Sequence, residues 1–417
     1  MESLVRFILF AVISGFVTLL VHIYLYRRIF RDTSEDRRWR RGGIAVMTVL
    51  AVLLTLSWSV TRFLPMDATF TVATFVWTWM GAATYLLFSL WVLGGARLVA
   101  GWLARPSPAQ PATALATLPS GATVAVATVS TEPPPAPVDA ERRRFLARAT
   151  AGGAVLASGG VTGFGMWSAF HPPVVSEVAV RLPGLPKALD GFSIVHLSDI
   201  HVGPVIQRRF MEELVSRCNA LRPDLVCITG DLVDGHVPSL APAVSALSGL
   251  TARHGTYFVT GNYEYYWGHA VWADALERMG VRVLRNRHVR IGDAAASFDL
   301  VGVDDWSAGR SGFAQGYDLD AALAGRDVER ASVLLAHQPS NWKKAADEAG
   351  MGLQLSGHTH GGQFFPFTLA VSAIWEHDAG LFQRGDKHLY VSRGTGFWGP
   401  PLRVGSEPEV VKVTLLA

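Results

Sequence analysis

Seven residues in the C-terminal half are of types that hold metal ions, and each closely follows a short apolar run. Asp199 and His201 come after IVHL, Asp231 after LVCIT, Asn262 after YFVT, His337 after VLLA, and His358 and His360 after GLQL. A single Asp after a strand usually forms a turn or caps a helix, and a lone His usually packs in a core. Seven such residues behind five apolar runs form a constellation instead. Imidazole with carboxylate and no thiolate suits Mn, Fe or Zn. A carboxylate lying between two ions can bridge them, a role that fits the central Asp231. Two ions roughly 3.5–4 Å apart clamp the attacking and leaving oxygens of an in-line displacement at phosphorus and acidify water, so no protein nucleophile is required. Gly230, Gly261 and Gly357 sit immediately before ligand positions, where a missing side chain permits close backbone approach.

The elements that must position these residues are legible as an alternation. FSIVHLSD, DLVCITGD and GTYFVTGN read as strands, and RRFMEELVSRCNAL, APAVSALSGL and AVWADALERMG read as helices between them. Further strand signals occur in ASVLLAH, GLQLSGHTH, HLYVSRG and EVVKVTLL. Alternating strands and helices predict an α/β domain over 174–417, with ligands at the carboxyl ends of its strands. Cys218 on a helix and Cys227 in a strand are predicted core residues, and two cysteines make no disulfide framework.

In sequence order the blocks are D-x-H (Asp199, His201), G-D-x-x-D (Gly230, Asp231, Asp234), G-N (Gly261, Asn262), His337 and G-H-x-H (Gly357, His358, His360). This series resembles the calcineurin-like metallophosphoesterase superfamily over about Val178 to Leu416. The GHTHGGQ string, SRGTG and the upstream apolar segments are similar to its bacterial membrane-associated YkuE-type branch. The resemblance implies a four-layer α-β-β-α sandwich with a binuclear centre of two divalent or trivalent ions. It places Asp199, His201, Asp231 and His360 around one ion and Asp231, Asn262, His337 and His358 around the other, with Asp231, Asn262, Tyr263 and His358 in catalysis.

One block departs from the family pattern G-N-H-[DE], whose His assists the leaving group. Here the string is Gly261-Asn262-Tyr263-Glu264. A phenol of ordinary pKa about 10 donates a hydrogen bond but shuttles protons poorly at neutral pH. His236, His254 and His269 are the other imidazoles offered as substitutes. Gly394 to Gly399 fits G-x-G-x-x-G, yet Pro400-Pro401 follow, which cannot open the helix a dinucleotide site needs. That loop is expected at most to border the metal cleft. Tyr265-Tyr266-Trp267 and Phe364-Phe365-Pro366 read either as ordinary packing or as an apolar lip for a lipid or nucleotide-lipid substrate. Asp304-Asp305 reads either as support for the site or, by preference, as a turn.

The other half of the chain has a different character. The 417 residues carry Lys+Arg 37 and Asp+Glu 34, for a net charge of +3, with 50% hydrophobic and 17% charged residues. Mean hydropathy is +0.26. These values exclude a disordered chain and a strongly basic nucleic-acid-binding protein. The average conceals three uncharged runs, between Arg6 and Arg27, from Gly42 to Thr61 and from Ala68 to Ala96, each long enough to cross a bilayer as helix. Three transmembrane helices are therefore expected within 1–103, and a flexible Pro/Ala-rich linker over 104–141. A fourth, Gly/Ala-rich apolar segment over 142–173 opens on Arg142-Arg143-Arg144-Phe145-Leu146, which resembles a twin-arginine signal.

Arginines at 27, 28, 31, 37, 38, 40 and 41 mark the first connection as cytoplasmic. The fourth segment is expected to span, which puts the C-terminal domain on the periplasmic or extracellular side of the cell (inner) membrane; were it not to span, the domain would be cytosolic. The sequence thus predicts a membrane-anchored, metal-dependent phosphoesterase acting on a phosphomonoester, phosphodiester or pyrophosphate, with the lipid bilayer as partner and no nucleic acid. The rival reading is a metal-binding regulatory module with little turnover, because Tyr263 stands where the family has His. A transporter is disfavoured, since the three spans carry no Asp, Glu, Lys or Arg.

Overall fold

The computed structural model describes residues 2–60, 66–103, 114–117, 123–126, 140–308 and 316–417. The N-terminal region is helical: α1 (Glu2–Tyr26), α2 (Arg37–Val60) and α3 (Met66–Leu103). Three helical stretches are long and apolar enough to cross a membrane: Ala11–Arg31, which runs from α1 into the following turn, Arg37–Ser57 in α2 and Thr69–Leu103 in α3. A π-helical turn, Arg27–Arg31, ends the first at its arginines. Most of the predicted linker lies outside the described residues. Within it, β1 (Ala114–Thr117) and β2 (Thr123–Val126) pair antiparallel, so those eight residues are hydrogen-bonded rather than extended coil. The fourth apolar segment is one helix, α4 (Ala140–Phe170).

Three residues after α4 the chain enters β3 (Val174–Arg181), followed by β4 (Phe192–Leu197), α5 (Arg208–Ala220), β5 (Leu225–Thr229), α6 (Val237–Val244), β6 (Thr256–Val259), α7 (Asn262–Trp267), α8 (His269–Arg278) and β7 (Val281–Val283). Next come β8 (Arg287–Gly292), β9 (Ser297–Gly302), α9 (Leu319–Leu323), β10 (Ser332–Leu335), α10 (Trp342–Asp347) and β11 (Leu353–Ser356). The chain closes with α11 (Phe367–Ile374), β12 (Gly380–Arg384), β13 (Lys387–Val391) and β14 (Glu409–Leu416).

The strands form two six-stranded sheets, in orders β3-β14-β4-β5-β6-β7 and β12-β13-β11-β10-β9-β8. Residues of period two from each meet in one core: Ile194, Leu225, Cys227, Tyr257 and Val411 from the first sheet pack with Phe298, Leu300, Val333 and Leu355 from the second. On the outside of the second sheet, Val301 and Leu334 pack with Leu319 and Ala322 of α9 and Ala345 of α10. The first sheet is flanked by α5, α6 and α8, which bury Met211, Leu214, Leu240, Trp272 and Leu276. This is the expected four-layer α-β-β-α arrangement. Both cysteines are buried in it, Cys218 on α5 and Cys227 on β5.

Backbone contacts divide the chain into two units, one of Met1–Thr55 with Ala82–Gly160, the other of Leu56–Gly81 with Val161–Ala417. The second holds the sandwich, together with the first part of α3 and the last part of α4.

Candidate metal centre

Strands β4, β5 and β6 are adjacent and parallel, as are β10 and β11 in the other sheet. Their carboxyl ends carry all seven predicted ligands. Ligand atoms of Asp199, His201 and His360 lie within 4.8 Å of one another, and so do those of Asp231, His337 and His358. Asp231 stands between the groups: its Oδ2 is 3.3 Å from His337 Nε2 and 3.9 Å from His201 Nε2. Asn262, the first residue of α7, places Oδ1 at 3.2 Å from His337 Nε2.

The backbone is bent to bring these atoms together. Asp199, His201, Asp231, His358 and His360 all have positive φ, between 49° and 74°, which non-glycine residues rarely adopt. Positive φ at five of the seven predicted ligands is the pattern expected where packing over-determines a functional geometry. Two glycines make the approach possible. A Cβ at Gly357 would come within 2.1 Å of Asp199 Oδ2, and one at Gly261 within 2.2 Å of Asp231 Oδ1.

Neighbouring groups fix the ring orientations. His201 Nδ1 donates to Asp234 Oδ1 at 2.7 Å, and His337 Nδ1 donates to the Thr229 carbonyl at 2.7 Å, so that Nε2 of each ring is the nitrogen turned toward the cluster. Burial opposes a charge on His201, but Asp234 and the other carboxylates hold its pKa at about 9; Asp231 chiefly lifts His337 against the same burial. Burial, then the His337 charge, lowers His358 to about 3, while burial and the Arg403 guanidinium hold His360 well below its ordinary range. Asp231 is held at about 2, because His337 overcomes its burial. A buried carboxylate cluster that draws protons onto imidazoles is one in which cations can take the place of those protons. Carboxylate, imidazole and amide donors without sulfur therefore fit two Mn, Fe or Zn ions, whose identity this donor set does not select.

Four further side chains support the ligands. Glu264 is buried, and its Oε2 accepts from the backbone N–H of Asp231 (3.0 Å) and Gly261 (2.6 Å), while Oε1 accepts from Leu232 N–H (2.8 Å). Its spacing, three residues after the Gly261 N-cap, is a capping-box signal that identifies it in retrospect. Asp234 was legible as part of G-D-x-x-D, though without its role toward His201. Arg403 is fully buried: Nε donates to Gly396 O (3.0 Å), Nη1 to His360 O (3.1 Å) and Arg393 O (2.7 Å), and Nη2 lies 3.2 Å from His360 Nδ1. No local pattern announces an arginine that serves mostly backbone carbonyls. Asp305 accepts from Gln338 Nε2 at 3.1 Å, next to His337.

The turn expected at Asp304-Asp305 is thus incomplete. Both carboxylates are buried, and Asp304 pairs with Arg285 at 2.9 Å, because each has a partner that only the tertiary fold supplies. Tyr263 packs its ring edge-on to His201 at 4.7 Å, and its N–H donates to Asp231 Oδ1 at 2.9 Å. Burial and then the charges of Asp234 and Asp231 push its phenol far above the ordinary value, so it remains a proton-bearing donor. Of the other imidazoles, His254 lies against Phe192, at the opposite end of β4 from Asp199, His269 packs on Tyr265, and His236 packs on Trp267. The Gly394–Gly399 loop borders the site as expected: Gly396 N–H donates to Asp199 O at 3.1 Å. The aromatic clusters divide, with Tyr265 and Phe364 buried and Tyr266 and Phe365 exposed.

A two-sheet sandwich presenting two His/Asp clusters at converging strand ends defines a metallophosphoesterase. Residues 192–362 match the family described as calcineurin-like phosphoesterase. The chain is 35% identical over 243 residues to a metallophosphoesterase of Aquifex aeolicus, covering 58% of this chain and 91% of that one. It is 31% identical over 290 residues to the Bacillus subtilis metallophosphoesterase YkuE, covering 66% and 97%. The chain belongs to the calcineurin-like phosphoesterase family. It is also 40% identical over 263 residues to a Bos taurus "Transmembrane protein with metallophosphoesterase domain", covering 61% of this chain and 59% of that protein. The match therefore spans about three fifths of that relative's length.

Proposed function

We propose that the protein is a membrane-anchored phosphoesterase of the YkuE-type branch, hydrolysing a phosphomonoester, phosphodiester or pyrophosphate bond. The observation that carries this reading is Asp231, whose carboxylate reaches the histidines of both clusters, 3.3 Å from His337 and 3.9 Å from His201. Asp199, His201, Asp231 and His360 would hold one ion, and Asp231, Asn262, His337 and His358 the other. Bound there, the ions supply charge neutralisation at phosphorus and acidification of water. The chain's own residues orient the reaction. Asp234 and the Thr229 carbonyl hold His201 and His337 in the ligating tautomer, Asn262 offers its amide oxygen, and Tyr263 offers a neutral hydroxyl to a phosphoryl or leaving oxygen. In the overall step the water oxygen bonds to phosphorus, one P–O bond breaks, and the departing oxygen takes a proton.

The domain organisation proposed is three spans over 1–103, a linker over 104–141, a fourth span with a twin-arginine-like flank over 142–173, and the catalytic domain from 174. With the arginine-rich first connection inside, the catalytic domain lies outside the cytoplasm. A C-terminal alkaline phosphatase fusion tests this: activity is expected, and a stable but inactive fusion contradicts it. The second reading, a regulatory module of low turnover, is favoured by the firmly held proton of Tyr263. Hydrolysis of bis-p-nitrophenyl phosphate by the Mn²⁺-loaded chain separates the two. The enzyme reading expects turnover that Asp231→Asn abolishes; the regulatory reading expects bound metal without turnover.

A further inference from the structure

Helix α11 (Phe367–Ile374) reads FTLAVSAI, and none of its residues is buried. Phe367 is 49% exposed, Leu369 63% and Ile374 76%. An uncharged helix with no buried face inverts the pattern of a surface helix in water, and such a patch marks contact with an apolar partner. Phe365 (37%) and Trp398 (45%) extend the patch.

The same surface joins α3, which holds a candidate membrane span, and the uncharged C-terminal part of α4. Phe365 N–H donates to Val404 O at 2.9 Å, and Gln363 Nε2 donates to Trp398 O at 2.8 Å, tying the start of α11 to the loop 397–404. That loop packs on α4, where Arg403 N–H donates to Gly165 O (2.9 Å) and Phe397 meets Phe170 edge-on at 5.5 Å. It also packs on α3, where a Cβ at Gly81 would lie 2.1 Å from Leu402 Cδ1. A bilayer core takes roughly 20 helical residues. Counted from Arg97 back along α3 that length reaches about Trp77, and counted from Arg148 along α4 it reaches about Ser168. The α4 contact at Gly165 thus falls near the end remote from Arg148, whereas the α3 contact at Gly81 falls inside the apolar run of that helix.

Helix α11 is equally close to the chemistry. Its first residue follows the ligand His360 by seven positions. A cavity of about 290 Å³ lies between Ile374 at its end and Trp342, Lys343 and Trp375, and the Trp375 ring stands edge-on to His358 at 5.1 Å.

We infer that α11, with Phe365 and Trp398, inserts into the outer interface of the lipid bilayer, so that the adjacent site acts on a phosphoester carried by a membrane lipid. The inference rests on the phosphoesterase reading. The phosphate reaches the ligand cluster past Trp375, which stands against His358, while the acyl chains stay beside α11. Water adds across one P–O bond, phosphorus gains the water oxygen, and the departing lipid or headgroup oxygen leaves with a proton.

Two measurements on the full chain in phosphatidylcholine vesicles test it. Both native cysteines are buried, so Leu369→Cys can be labelled selectively with a nitroxide. Bilayer insertion predicts greater accessibility to oxygen than to a water-soluble relaxant. The reverse, or dipolar broadening from a second copy, overturns the insertion. The vesicles are then doped with phosphatidic acid or phosphatidylglycerol, and bis-p-nitrophenyl phosphate serves as the soluble comparison. The double variant Phe367→Ser, Leu369→Ser should keep soluble-ester turnover within twofold and lose at least tenfold on vesicle lipid. Equal loss on both, no loss on the vesicle lipid, or release from neither lipid by a chain that cleaves the soluble ester overturns the substrate class. A wild-type chain that cleaves no ester at all contradicts the phosphoesterase reading itself.

Discussion

Glu264 accepts hydrogen bonds from the backbone N–H groups of Asp231 and Leu232, at 3.0 and 2.8 Å, and so ties the turn after β5 to the start of α7. The same carboxylate holds Gly261 N–H at 2.6 Å, beside Asn262. One buried side chain therefore sets the spacing between the proposed bridging ligand and the amide ligand of the second ion. In Glu264→Gln an NH₂ group would face at least one backbone N–H. Removing a partner from buried donors costs about 1–3 kcal/mol, and loss of such outer support typically costs 10–100-fold in metal affinity. The variant should therefore fold with a lowered melting temperature and retain at least tenfold less Mn²⁺ after equilibrium dialysis. Unchanged metal content would remove Glu264 from the site.

Tyr263 is the third residue of Gly261-Asn262-Tyr263-Glu264, where the pattern G-N-H-[DE] that the string resembles has His. Burial and two nearby carboxylates keep its proton in place, which suits hydrogen-bond donation and opposes proton transfer. General acid catalysis is worth about 10²–10⁴-fold. Tyr263→His should raise kcat by up to that order for esters with poor leaving groups and change little for nitrophenyl esters. A series of aryl and alkyl phosphodiesters checks this, since the dependence of rate on leaving-group pKa should flatten in the variant. Equal effects on all leaving groups would assign Tyr263 to packing on His201.

Gly357 separates β11 from His358 and passes close to the Asp199 loop. A Cβ there would stand 2.0 Å from Ser198 Oγ and 2.1 Å from Asp199 Oδ2. Gly357→Ala must displace the β4 or the β11 ligand loop, and both metal clusters depend on those loops. Metal binding should fall by at least an order of magnitude while the far-ultraviolet spectrum is retained. Wild-type metal affinity in this variant would show that the loops have more slack than the packing implies.

His196 predicts an acid sensitivity independent of metal. It is fully buried on β4, its Nε2 is 2.8 Å from Thr229 Oγ1, and burial lowers its pKa to about 4. The unfolded chain, with an ordinary His pKa near 6.5, binds the extra proton first as pH falls. Stability from this residue is thus complete above about pH 6.5 and is lost toward pH 4, by about 1.4 kcal/mol per pH unit. Acid unfolding of the metal-free chain monitored by tryptophan fluorescence should be shallower in this range for His196→Gln than for wild type. Parallel curves would place the acid sensitivity elsewhere.

Much of the site was legible because its residues obey a local rule. Asp199, Asp231, Asn262, His337 and His358 each stand just past an apolar strand, and parallel strands deliver such positions to one edge. The strands were legible for the same reason, through period-two runs such as FSIVHL and LVCIT. What stayed hidden depends on contacts between distant segments. Arg403 reaches His360 across forty-three positions, and Asp305 reaches Gln338 across thirty-three. The positive φ of five predicted ligands has only a weak sequence signal, since Asp and His adopt it more often than most residues but far less freely than glycine. The helix α11 gave no functional signal in the sequence, and that none of its residues is buried emerges only once the sandwich is assembled beside it.

The central claim, that Asp231 joins two metal sites into one hydrolytic centre, is tested most directly by Mn²⁺ stoichiometry measured alongside bis-p-nitrophenyl phosphate hydrolysis, in wild type and in Asp231→Asn. Two ions per chain with metal-dependent turnover are expected for wild type, and weakened binding at both sites with at least a hundredfold loss of kcat for the variant. Two tightly bound ions and unchanged turnover in Asp231→Asn would contradict it.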